Sequence, residues 1–377
     1  MALHRGNISL ATRSVCRTAL AYLVASLVSP AAGLADTAPL PPDLTLLPDE
    51  KVLFDWRTER CERWDIPDTP LRAWRGEDGA VRLVAGSEAT RTSVGSSPAQ
   101  VSRDCRTLLE GAQDPDPSAR NDRWWIASTF VLDDGRVIAL VHAEYHGHSH
   151  DGACESDVYL TCWRNAILAA ESTDGGATFE VDTETPVAAL PYAYDPGQTG
   201  RTGYFSPSNI IEVDGYLYVF VFASPYRDQQ RGVCLMRRSA DRSDPTWRAW
   251  DGSDFTIQLS GRHDAPKALC QPLEGLRGNL TSVARHGDGF LAVSPMTAQD
   301  RDGATKSGFW ALASTDLTTW SAPVLVLEKP LLWRSDCGAP YTYAYPAFLD
   351  PGSTDRNFAQ VSQTFWLTFV QMRLAPN

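Results

Sequence analysis

Three carboxylates in this chain stand where proton transfer could be carried out. Asp68 lies in Asp65-Ile-Pro-Asp68-Thr-Pro-Leu-Arg72, where Pro67 and Pro70 fix φ on either side and set a defined bend. Glu144 lies in His142-Ala-Glu144-Tyr-His146-Gly-His148-Ser-His150, and four of the chain's seven histidines fall within those nine residues. A carboxyl group set among imidazoles and aromatics can have its pKa tuned, as a general acid requires. Asp195 precedes a proline in Tyr192-Ala-Tyr194-Asp195-Pro, on a long loop that could carry it inward as a third carboxylate. The plain alternative for all three is a turn or solvated side chain, since Asp-Pro commonly starts turns.

The histidines raise a metal reading. On an extended strand His146, His148 and His150 would share one side, an arrangement that suits Zn²⁺. Gly147 and Ser149 instead suggest a loop, and no later His-Glu pair completes a ligand set. No metal and no cofactor are therefore expected. An activated serine is not expected either, because no Gly-x-Ser-x-Gly segment is present. Ligand contacts are assigned to Arg72, Trp125, His146, Tyr204, Ser206, Asn209 and Tyr345. These supply flat aromatic faces, short hydroxyls and one amide near the ends of expected strands. Packing is the competing use of the aromatics.

The elements that must hold these residues are strands. Asp-Gly dipeptides at 78–79, 134–135, 214–215 and 288–289 each sit between apolar runs, a strong hairpin signal. The runs Val137–Val141, Tyr216–Phe222 and Phe290–Val293 are rich in β-branched and aromatic residues. Ser172-Thr-Asp174-Gly-Gly-Ala-Thr-Phe179 is echoed at Ser239-Ala-Asp241 and at Ser314-Thr-Asp316-Leu-Thr-Thr-Trp320, with serines 67 and 75 residues apart. Pairing each hairpin with the turn that follows it yields repeating four-stranded antiparallel sheets of about 68 residues, five in all. The first copy, from Leu71, lacks a clear second half, and the last copy spans Tyr345–Met372. The fold class expected is all-β, a five-bladed propeller over 51–377, with 36–50 as a linker. A ring protects sheet edges that an open row would expose. Lys51–Trp56 is expected to complete the last sheet, beside Phe365–Met372.

Residues 1–35 read as a secretory signal. They carry Arg5, Arg13 and Arg17 with no acid, an apolar run from Ala19 to Val28, and Gly33-Leu34-Ala35 as a cleavage site after Ala35. Losing those three arginines takes the basic count from 34 to 31 against 46 acids, a net charge of −15 for 36–377. Such a balance argues against nucleic acid and anionic membrane surfaces as partners. No later segment is apolar enough for membrane insertion, so a secreted or periplasmic location is expected; oligomeric state is left open. Export makes disulfides plausible. Cys154 with Cys162 is the easiest pair and Cys61 with Cys105 a reasonable second. Cys234, Cys270 and Cys337 then leave an odd thiol.

The Ser172–Phe179 segment resembles the Asp-box of sialidases and related propellers. The whole of 36–377 is similar to the five-bladed propellers of the arabinanase, invertase and sialidase-like superfamily, including secreted bacterial glycosidase-like members with the Tyr204-Phe-Ser-Pro-Ser-Asn209 segment. That resemblance implies turn-forming roles for Asp174, Asp241 and Asp316, and a ligand funnel lined by innermost strands. It also implies carboxylates there that cleave a glycosidic bond, with Asp68 matching a first-blade aspartate base. The expected function is a secreted glycosidase acting on an oligo- or polysaccharide. The alternative is a non-catalytic carbohydrate-binding propeller. A true sialidase is disfavoured, because the early Arg-Ile-Pro signature is missing and only one full Asp-box is present.

Overall fold

The computed structural model describes residues 2–6 as backbone, and 41–241, 243–263, 268–333 and 339–373 in full. The chain is nearly all β-structure. Among the described residues, helix is confined to Trp56–Glu59 and the 3₁₀ turn Gly147–Ser149. None of these is long and apolar enough to cross a membrane.

Antiparallel strands fall into five successive groups. The first comprises Arg72–Arg75, Val81–Val84, Thr92–Ser97 and Gln100–Arg103. The second comprises Arg123–Val131, Val137–His146, Trp163–Ser172 and Glu180–Asp182. The third is built on Ile211–Val213, Tyr216–Ala223, Gly232–Ser239 and Arg248–Trp250. The fourth is Ser282–His286, Gly289–Gln299, Thr305–Ser314 and Val324–Glu328. The fifth pairs Tyr341–Leu349 with Trp366–Arg373, to which Ala2–Gly6 and then Lys51–Asp55 are added. Among the described residues, hydrogen bonding makes these into four sheets, not five. Thr202 and Gly203 pair in parallel with Arg164 and Asn165, which joins the second and third groups into one twelve-stranded system.

Five apolar clusters join the groups face to face. One packs the first group on the second through Trp74, Ile126 and Leu168. Another packs the second on the third through Leu140, Ile167 and Val219. The third meets the fourth through Phe220, Leu235 and Trp310. The fourth meets the fifth through Phe309, Leu367 and Phe369. The last cluster brings Val370 and Met372 of the fifth group back onto Ala73, Val81 and Leu83 of the first. Each fully buried Leu or Phe contributes about 1.5–3 kcal/mol by leaving water, so these layers dominate the stability.

The hairpin turns follow the sequence with one shift. Asp214 and Gly215 both take positive φ (50° and 76°), as a two-residue turn of that type needs. In the fourth group, however, the turn residues are Gly287 and Asp288, with Gly289 already paired to His286. The first group does have its second half, Thr92–Ser97 with Gln100–Arg103, although TSVGSS carries few of the usual strand residues. Lys51–Asp55 joins the last sheet, but through Ala2–Gly6 rather than directly; cleavage after Ala35 would remove that intervening strand, so this pairing belongs to the uncleaved chain. The rest of the expected signal, 7–35, lies outside the described residues.

The repeated aspartates are spent on turns. Asp174 Oδ1 accepts from the Ala177 and Thr178 amides at 2.9 and 3.0 Å, and Ser172 Oγ accepts from Gly176 at 2.8 Å. Asp316 does the same for Thr318 and Thr319. Among the described residues, three disulfides, Cys61–Cys105, Cys154–Cys162 and Cys234–Cys270, fit an oxidising compartment. Two are the pairs read from spacing; Cys337 lies outside the described residues.

Candidate active site

Arg72 sets the geometry beneath the site. It is 3% exposed, and its guanidinium donates to Ala127 O at 2.7 Å, Pro207 O at 3.1 Å and Thr281 O at 2.9 Å. Those carbonyls belong to segments of the second, third and fourth groups. Thr281 Oγ1 then donates to Pro346 O of the fifth group at 2.6 Å. A planar fork of donors suits this task, since each carbonyl would otherwise be buried without a partner. Burial lowers the Arg72 pKa to about 9. Arg72 was expected to touch ligand; instead its donors are occupied by the backbone.

Asp68 enters four residues before this hub. Its amide donates to Gly86 O at 2.9 Å, and its carboxylate accepts from the Tyr345 hydroxyl at 2.6 Å. Tyr345 reaches it through an irregularity in its strand: register shifts between Ala344 and Ala347, and Tyr345 sits at φ +57°. A bulge of this kind re-aims a side chain at a stored cost of about 1–3 kcal/mol. Burial raises the Asp68 pKa to about 7, opposed by Tyr345 and assisted by the charges of Glu144 and Glu88. The Tyr345 hydroxyl is itself pushed up by burial and by Asp68.

Glu144 lies on one face of the Val137–His146 strand with His142 and His146, the alternation that a pleated strand imposes. His146 Nε2 donates to Glu144 Oε2 at 2.6 Å, and His142 Nε2 lies 3.3 Å from Oε1. Burial alone would raise the Glu144 carboxyl; the two imidazoles outweigh it and hold the pKa below the usual range. Burial lowers the pKa of His142.

Cross-strand neighbours complete the wall. His146 faces Trp163, and the rings stack at 3.8 Å with 13° between planes. Glu144 faces Asn165, and His142 faces Trp125. Phe205 of the third group stacks on His142 at 6.2 Å, with the Arg201 guanidinium 5.2 Å from the Phe205 ring. Trp125, Trp163 and Asn165 are 5%, 6% and 1% exposed. The two indole N–H groups and both amide atoms of Asn165 have no hydrogen-bond partner within the protein. Buried polar groups normally have a partner in protein or water, so these side chains offer polar atoms on the two strands that flank the Glu144 strand. The Trp125 indole points toward Asp68, and its N–H weakly favours the ionised carboxylate as a donor.

The structure thus brings together Asp68, Glu144, Trp125, His146 and Tyr345. It does not bring Asp195 to them. That carboxylate caps its own turn at Gly197 N, 3.0 Å away, and accepts from Tyr226 at 3.3 Å. Tyr204 is fully buried and its hydroxyl donates to Gln229 Oε1 at 2.6 Å, which makes it a core residue rather than a ligand contact. Asn209 is likewise consumed, its amide exchanging two hydrogen bonds with the Val283 backbone at 2.7 and 2.8 Å. Ser206 holds φ +51° between Phe205 and the Pro207 that Arg72 binds. The histidines do not share a face. The strand ends at His146 and the chain turns at Gly147–Ser149. His150 then lies 3.2 Å from Asp122, which also accepts from the His146 amide at 2.8 Å, and His148 lies 3.3 Å from Cys154 Sγ. Among the described residues, no three His, Cys, Asp or Glu side chains are grouped to hold a metal.

No protein-family model matches this chain. No curated protein matches it either. Solved structures of similar shape include a glycosyl hydrolase from Bacteroides ovatus, at 10% identity over 81% of this chain and 84% of that one, with TM-score 0.42. An α-L-arabinanase from Cellvibrio cellulosa, complexed with arabinohexaose, shares 10% identity over 74% of this chain and 84% of its own, with TM-score 0.40. An α-L-arabinofuranosidase from Clostridium thermocellum shares 10% over 69% and 73%, with TM-score 0.37.

Proposed function

We propose that this chain is an exported five-bladed β-propeller that hydrolyses a glycosidic bond in an oligo- or polysaccharide, with Asp68 and Glu144 as its paired carboxylates. The observation that carries the reading is the contrast between the two groups. They come from different strand groups, both act on the Tyr345 hydroxyl, the charge of Glu144 reaches Asp68, and their environments push their pKa values apart. Such a separation is what acid and base assignments require. Five core clusters that return to the first group support the ring. The disulfides support export.

The roles follow from the electrostatics and are the reverse of those the sequence resemblance implies. Asp68, raised to about 7, keeps its proton near neutrality and is the general acid. It gives that proton to the glycosidic oxygen as the bond to the anomeric carbon breaks. Tyr345 then stabilises the carboxylate left behind, because its hydroxyl donates to Asp68. Glu144 stays ionised beside His146 and either takes a proton from the attacking water or attacks the anomeric carbon itself. Trp125, Trp163 and Phe205 offer faces for the apolar side of a sugar ring, and Asn165 offers polar atoms for its hydroxyls.

The test is release of reducing sugar from a panel of oligosaccharides, polysaccharides and aryl glycosides. Release by the wild type from at least one member is expected. Binding of a glycan without release would favour a carbohydrate-binding propeller.

A further inference from the structure

The loop between Cys154 and Cys162 is held rigidly at its base and exposes apolar side chains at its tip. The disulfide joins its ends. The Tyr194 hydroxyl bonds the carbonyls of Ala153 and Cys162 at 2.7 and 3.2 Å. Gly147 N donates to Cys162 O at 3.2 Å and Glu155 N to Pro196 O at 3.1 Å. Between these anchors Val158 and Tyr159 are 62% and 60% exposed, and Leu160 36%. Tyr159 stands edge-on to Trp163 at 5.1 Å and to His146 at 6.4 Å, the two rings beside Glu144. Its hydroxyl feels the charges of both Glu144 and Asp68. An apolar tip packed edge-on against the rings of Trp163 and His146 is continuous with the wall beside Glu144, not an isolated surface residue.

We propose that Tyr159 is a specificity-determining contact for the part of a sugar chain that extends beyond the residue whose bond is cut, with Val158 and Leu160 as its apolar flank. This rests on the glycosidase reading and narrows it: the substrate is a chain of several sugars, and the Cys154–Cys162 staple positions the wall that reads its length. Aromatic rings contribute by stacking on sugar C–H faces, so the hydroxyl of Tyr159 is dispensable and the ring is not.

The experiment compares wild type, Tyr159→Ala, Tyr159→Phe and Cys154→Ser/Cys162→Ser on oligosaccharides of increasing length and on an aryl glycoside of one sugar. Tyr159→Ala is expected to raise KM about tenfold on the longer chains, with kcat within about twofold and the one-sugar substrate unaffected. Tyr159→Phe should match wild type, and the double serine variant should resemble Tyr159→Ala. An unchanged KM in Tyr159→Ala, or an equal loss on the one-sugar substrate, overturns the wall. A wild type that cleaves only one-sugar substrates overturns the wall and leaves the glycosidase reading standing. A wild type that neither cleaves nor binds any glycan removes both.

Discussion

The Tyr345 hydroxyl donates to Asp68 at 2.6 Å across 277 positions of chain, from the last strand group to the entrance of the first. The same backbone stretch is tied to the Arg72 hub, since Pro346 accepts from Thr281, which in turn accepts from Arg72. The acid and the hub are therefore one mechanical unit. A donor to a carboxylate favours its ionised form. Tyr345→Phe should raise the Asp68 pKa further, and the alkaline limb of the pH–activity profile should move upward by roughly one pH unit. A profile that stays in place would separate Tyr345 from the acid.

Asp68 also links activity to stability. Its pKa is raised from 3.8 to about 7. Between those values the folded protein holds a proton that the unfolded chain has released, so stability falls as pH rises through that window and levels off above it. At about 1.4 kcal/mol per pH unit the effect is at most roughly 4 kcal/mol, and partial solvent access reduces it. Asp68→Asn keeps an acceptor for Tyr345 and carries no charge. It should melt above wild type at pH 8 and close to it at pH 4, as read by thermal denaturation.

Glu144 should behave in the opposite sense. Its carboxyl is held low against burial by His142 and His146. His146→Ala removes the 2.6 Å donor and the stacked partner of Trp163. The acid limb of the pH–activity profile should shift upward by about one pH unit, since Glu144 then protonates more readily. An unmoved limb would show that His146 does not tune Glu144.

Arg72 is the most consequential structural residue near the site. Arg72→Ala leaves the carbonyls of Ala127, Pro207 and Thr281 buried without that donor. A loss of about 3–5 kcal/mol is expected in denaturant unfolding. Arg72→Lys cannot reproduce the fork and should recover less than half of it. A loss below about 1 kcal/mol would mean that water replaces the guanidinium.

The strand order and its turns were legible because Asp-Gly turns and period-two runs are local signals. Asp68 was legible as a bend between prolines. The site wall was not, because it is assembled by register. Tyr204 and Phe205 are adjacent, and a one-residue change of face decides which is core and which stacks on His142. Trp163 and Asn165 follow a disulfide loop and become site residues only through pairing with His146 and Glu144. Arg72 looked like a ligand contact because a buried guanidinium needs partners that only distant strand groups supply. The loop before Pro196 and the strand end at Asn209 are positions a sequence can mark, but the hydrogen bonds that claim Asp195 and Asn209 come from distant segments.

The central claim is that Asp68 and Glu144 together break a sugar–oxygen bond. The most direct measurement is kcat for Asp68→Asn and Glu144→Gln on a glycan that the wild type cleaves, with folding of each variant checked by melting. The account predicts a loss of about 10²- to 10⁴-fold in each, with both variants folded. Wild-type turnover in either folded variant would contradict it.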